Sequence, residues 1–179
     1  MTKIDNFVKN PTQAGFEELN IVGDVVMMNH LYNQAPHLAK RYFKCEDWLE
    51  MCQQEKKFNV RTNLLQNAVD AIASIEDCKE VFREDRRAEF YEQIKKKAVT
   101  FCVSFDDILA TICTFELTHD PDIYNRYGKK LVQRAIPLIA TPEDVDVFSG
   151  IIPRDDEKSL SKFTEKAVSV GLSFPDDDC

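Results

Sequence analysis

Glycine and proline are scarce in this 179-residue chain, at five and seven residues, and neither occurs between His37 and Asp120. Strand hairpins and tight turns draw heavily on both, so a gap of 84 residues without them argues against a sheet over that span. No apolar run approaches the roughly 18 to 20 residues that a bilayer span needs. The opening Met1-Thr2-Lys3-Ile4-Asp5-Asn6 lacks the basic-then-apolar plan of a secretory signal, and the expected location is intracellular, cytoplasmic or nuclear. Six cysteines stand at 45, 52, 78, 102, 113 and 179 with no Cys-x-x-Cys pair among them. Their spacing (seven between Cys45 and Cys52, eleven between Cys102 and Cys113) is that of one helical face, which predicts buried, reduced thiols packing as small hydrophobes. The glycines are scattered singly, so no glycine-rich phosphate cradle can form.

What the chain does contain is internal repetition. Leu64 to Asp77 lines up with Leu131 to Asp144, with Leu, Gln, Ala, Ile, Ala, Glu and Asp recurring in order. Lys97-Ala98-Val99 followed by Ser104-Phe105 is echoed by Lys166-Ala167-Val168 followed by Ser173-Phe174. A fainter echo relates Leu38-Ala39-Lys40 and Glu46-Asp47-Trp48-Leu49 to the segment ending in Phe105-Asp106-Asp107-Ile108-Leu109. Repeated helical units stack and present a surface, rather than enclosing one reactive cleft.

Apolar positions support the helical reading. Val60, Leu64, Leu65, Ala68, Ile72 and Ile75 step by three and four, as do Phe90, Ile94, Ala98, Phe101 and Phe105. Asn10-Pro11, Asp120-Pro121 and Thr141-Pro142 each place a capping residue before a proline suited to a first helical turn. Ser74 and Ser104, each followed by Asp three residues on, predict further helix starts. The pattern predicts helices near 3–9, 14–33, 36–43, 45–56, 60–73, 76–82, 86–102, 105–117, 121–139, 142–149 and 156–170, with a kink near Pro137. The expected class is all-α, a multi-helix bundle or a short helical stack analogous to armadillo and HEAT arrays, although no residues diagnostic of those families occur. One domain over 1–170 is expected, with duplicated units at about 45–107 and 108–174 and an acidic tail at 171–179.

Candidate chemistry is thin. Glu116-Leu117-Thr118-His119 has the Glu-x-x-His spacing of carboxylate-bridged metal bundles, yet no second copy exists to complete such a site. Phe105-Asp106-Asp107-Ile108-Leu109 resembles the opening of an aspartate-rich magnesium-pyrophosphate motif. Ala110 stands where its third carboxylate belongs, and helix capping accounts for both acids. His30, His37 and His119 have no oxyanion loop or orienting acid at a recognisable spacing from a cysteine. No catalytic residue, cofactor or metal is therefore expected.

Charge is more informative. Of the net −8, six units lie in residues 135–179, which hold four basic and ten acidic side chains. That end repels nucleic acid and suits a basic protein surface. The opposite sign gathers at Arg83, Arg86, Arg87 and Lys95 to Lys97, a candidate contact surface in which Glu84, Asp85, Glu89 and Glu92 are interleaved. Trp48, the lone tryptophan, reads as a core anchor or as an interface residue. The expectation is a non-enzymatic protein-interaction module, an adaptor, scaffold or regulatory subunit. The alternatives are a self-assembling structural protein, for instance a viral or phage component acting as a homo-oligomer, and a small metal-dependent helical enzyme.

Overall fold

The computed structural model describes residues 3–85 and 88–172, apart from the side chains of 88 and 89. Arg86, Arg87 and residues 173–179 of the acidic tail lie outside the described residues. The protein is all-α, with no strand among the described residues. Its first helices are α1 (Lys3–Lys9), α2 (Gln13–Leu19), α3 (Val25–Gln34), α4 (Pro36–Tyr42) and α5 (Cys45–Gln54). There follow α6 (Phe58–Ala71), α7 (Ile75–Glu84), α8 (Ala88–Phe101) and α9 (Phe105–Thr114). The last are α10 (Pro121–Ile123), α11 (Lys129–Ala135), α12 (Pro142–Ser149) and α13 (Glu157–Ser169). No helix among the described residues is long and apolar enough to cross a membrane.

The chain divides into two compact units, 1–94 and 95–179, with the boundary inside α8. In the first, α5 packs along α6, and both touch α7, while α3 packs on α4 and α5. Trp48 lies at the centre of this unit, edge-on to Tyr32 at 5.2 Å and to Phe43 at 5.1 Å. Cys45 and Cys52 are buried on the same side of α5, as their spacing predicts. In the second unit, α11 packs on α9, and the turn after α11 packs on α13. Phe148 is buried there between Phe105 at 5.7 Å and Phe163 at 6.1 Å.

The two segments that echo each other in sequence share local features of structure. Leu64, Leu65, Ala68, Val69 and Ile72 are buried, and so are their counterparts Leu131, Val132, Ala135, Ile136 and Ile139. Both segments leave the helix through an isoleucine in an open conformation, Ile72 at φ −53, ψ 123 and Ile139 at φ −57, ψ 122. The next helix then starts from the same cap. Asp77 Oδ2 accepts from Ala73 N–H at 2.8 Å while Ser74 Oγ accepts from Asp77 N–H at 3.1 Å. Asp144 Oδ2 accepts from Ala140 N–H at 2.8 Å while Thr141 Oγ1 accepts from Asp144 N–H at 3.2 Å. Reciprocal bonds of this kind satisfy donors that a helix start leaves free. The α8–α9 junction uses the cap again, through Ser104 and Asp107. Ile94 and Ala98 on α8 and Phe163 and Ala167 on α13, which occupy equivalent places in the two echoed segments, are likewise all buried.

Three predicted helices differ from the observed ones, each for a backbone reason. The segment 14–33 is two helices, because Asn20 (φ 50) and Gly23 (φ 83) take left-handed conformations and Asp24 caps a new start through Met27 N–H at 3.1 Å. The segment 105–117 stops at Thr114, and Glu116 is left-handed at φ 51. Within 121–139 the backbone forms a π turn at Tyr124–Gly128 and closes as a 3-10 turn at Ile136–Leu138, where Pro137 has no N–H to give.

Candidate functional site

The predicted contact residues scatter once burial is known. Lys95 is only 1% exposed, its ammonium 5.8 Å from the centre of the Tyr127 ring. It belongs to the core of the second unit and is withdrawn from any docking surface. The reason is geometric: successive residues of a helix point about 100° apart, so three adjacent lysines cannot share one exposed face. Lys96 is exposed and Lys97 half-buried. Arg83 is exposed and lies 3.9 Å from Glu76, about two turns back along α7. Trp48, at 1% exposure, is a core anchor and not an interface residue.

Neither histidine–cysteine nor Glu-x-x-His chemistry is assembled. Glu116 and His119 sit on the turn after α9, where the left-handed Glu116 takes them off a common helix face. Among the described residues no group of three His, Cys, Asp or Glu side chains is placed to share a metal ion. Cys113 is exposed, against the expectation that it shares a buried face with Cys102. Cys102 is buried, and burial before all else pushes its thiol up, away from the reactive thiolate.

A polar knot ties the π turn to α13. Tyr124 donates its hydroxyl hydrogen to Asp156 Oδ2, which also accepts from Ser159 Oγ at 2.7 Å. Asp156 Oδ1 accepts from Ser159 N–H at 3.3 Å, capping α13, and lies 3.5 Å from Lys129 Nζ. Burial pushes the Asp156 carboxyl up, but the hydrogen bonds from Tyr124 and Ser159 with the Lys129 charge outweigh it, and the net direction is down. The Tyr124 phenol is driven up, first by burial and then by its bond to Asp156. Gly128 permits the turn: a Cβ there would lie 2.2 Å from the Leu117 carbonyl oxygen. Beside the knot is a polar hollow of about 260 Å³ reached by Thr118, His119 and Asn125. The carboxylate at its edge already has its partners, so the arrangement holds structure together.

The first unit holds a different hollow, about 280 Å³, between α2, the turn after it and the start of α5. Phe16, Ile21 and Val22 give it apolar walls, and Tyr42 stacks on Phe16 with ring centres 5.1 Å apart. Asp47 is 2% exposed, and its Oδ2 accepts from Lys44 N–H at 2.7 Å. Its Oδ1 and the Tyr42 hydroxyl are both buried with no hydrogen-bond partner. Burial chiefly holds the Asp47 carboxyl up; the Lys44 N–H opposes this, and Glu46 and Glu50 reinforce it. Sequence reasoning missed this site, since Asp47 has the signature of an ordinary first-turn acid. The distinguishing facts, its depth and its unused oxygen, come from helices remote in sequence. Comparison of the chain with protein families, with curated proteins and with solved structures found no match.

Proposed function

We propose that this chain is a protein-interaction module, an adaptor, scaffold or regulatory subunit that binds another protein through its helical surface. The observation that supports the reading is the recurrence of the same Ile-Ala-Ser/Thr helix junction, at Ile72 to Ser74 and Ile139 to Thr141. Repeated helical units keep their cores by neighbour contact and leave side chains outside free to diverge, which is how helical arrays acquire binding surfaces. The acidic balance of residues 135–179 suits a basic partner. On the basic side, Arg83 and Lys96 are the described residues retained as contacts, while Lys95 is not. Affinity purification from the native source with Arg83→Glu and Lys96→Glu tests the assignment. Loss of one co-purifying protein with an unchanged thermal midpoint supports it; an identical set of partners overturns it.

A second reading, self-assembly, draws on large apolar side chains left in solvent, Val26 at 77% and Phe58 at 68% exposure. Light scattering separates the two, because a stable monomer at micromolar concentration removes self-assembly.

A further inference from the structure

A buried carboxylate oxygen without a partner is costly, and the residue that carries it, Asp47, lines a hollow large enough to admit one. At about 30 Å³ per liquid water, the 280 Å³ hollow beside Asp47 exceeds what two solvent molecules fill. The carboxylate is held in place: Oδ2 is fixed by the Lys44 N–H at the start of α5, so the orientation of Oδ1 is set before any ligand arrives. Oδ1 can only accept, and Tyr42, whose buried hydroxyl is likewise unpartnered and can accept, belongs to the same lining. Lining charges favour a cation, with Glu17, Glu46 and Asp47 against Lys44 alone. Lys44 itself is 80% exposed in its side chain and is turned to Glu46 at 4.0 Å. The remaining walls are the apolar surfaces of Phe16, Ile21 and Val22.

We infer that this hollow is a binding site for a protonated primary amine carried on a short apolar stem. The ammonium donates to Asp47 Oδ1 and to the Tyr42 oxygen, and the stem lies against Phe16, Ile21 and Val22. An ammonium makes a charge-assisted bond to the Asp47 carboxylate and has N–H donors left for a second acceptor, whereas a neutral alcohol lacks the charge and an anion has no donor to give. The site goes beyond the protein-binding reading and stands without it. Its ligand chemistry has two sources, a free alkylamine or a lysine side chain.

The experiment titrates the full chain with n-butylamine, with Nα-acetyl-lysine methylamide and with n-butanol, followed by chemical-shift changes in a proton–nitrogen spectrum. Saturable binding of at least one amine is expected, with shifts clustered at Phe16, Val22 and the start of α5, and none for n-butanol. Binding of the free amine alone assigns a small metabolite, and binding of the lysine derivative assigns a partner's side chain; either outcome supports the site. Asp47→Asn keeps an oxygen for the Lys44 N–H and should weaken binding at least about tenfold, the loss expected for a charged hydrogen bond. Tyr42→Phe keeps the ring stack and should weaken it less. Should Asp47→Asn fail to fold, the Tyr42→Phe effect and the n-butanol control still decide. No saturation up to roughly 10 mM, the weak end for a ligand of so few atoms, overturns the site. So does equal affinity in wild type and both variants.

Discussion

Removing the Tyr124 hydroxyl tests whether the knot at Asp156 holds α13 in place. Tyr124→Phe keeps the ring and deletes one hydrogen bond to a buried carboxylate, a loss of about 1.5 to 3 kcal/mol. Asp156 retains Ser159 Oγ, Ser159 N–H and Lys129, so the lower half of that range applies, about 2 kcal/mol. Asp156→Ala costs more, because it removes the α13 cap (about 1 kcal/mol) and strands a buried phenol (about 1 to 3 kcal/mol), roughly 2 to 4 kcal/mol together. In a double-mutant cycle by urea denaturation the two changes should couple by about 2 kcal/mol.

The pH dependence gives an independent check on the same pair. A phenol whose folded pKa is raised stabilises fully below its unfolded value, about 10, and the benefit is lost as pH climbs towards the folded value. Asp156 has a lowered folded pKa, so its contribution is present above the unfolded value of about 3.9 and is lost as pH falls through the folded one. Wild type should therefore keep its advantage over Tyr124→Phe through the neutral range and begin to lose it above about pH 10, progressively as pH climbs towards the raised folded value. Two curves that run parallel through the alkaline limb, or a coupling near zero, would refute the argument.

Other perturbations follow from the same geometry. Gly128→Ala should cost about 3 kcal/mol, since the added methyl meets the Leu117 backbone oxygen and the Tyr124 ring, which calorimetry would register as a lower midpoint. Lys95→Glu should destabilise by about 3 kcal/mol by burying an acid against the Tyr127 ring, whereas Lys96→Glu should change stability by less than about 0.5 kcal/mol. Equal midpoints for these two variants would contradict the burial assignment. Among the described thiols, Cys113 should react with a maleimide in the native protein, while Cys45, Cys52, Cys78 and Cys102 wait for unfolding; peptide mass mapping distinguishes them.

Helix identity and helix starts were open to reading from residue order alone, because both depend on neighbours three and four positions away. The 3.6-residue period of Leu64, Leu65, Ala68 and Ile72 and the caps at Ser74, Ser104 and Thr141 need no remote partner to form. The same locality made the echo of 64–77 in 131–144 visible, down to the isoleucine that ends each helix. Departures began where a residue's role is set by something distant in the chain. Lys95 looks like its neighbours in sequence, and its burial shows only in the fold, which brings it against Tyr127, thirty-two residues on. Gly128 reads as a helix breaker, yet its lack of a side chain is required by the Leu117 carbonyl pressed against it, and the outcome is a π turn. Asp47 and Tyr42 carry no signal of a binding site in their order. Their oxygens are buried and unmet where α2, its following turn, the end of α4 and the start of α5 line one hollow, and burial is a property of packed elements that no local pattern encodes.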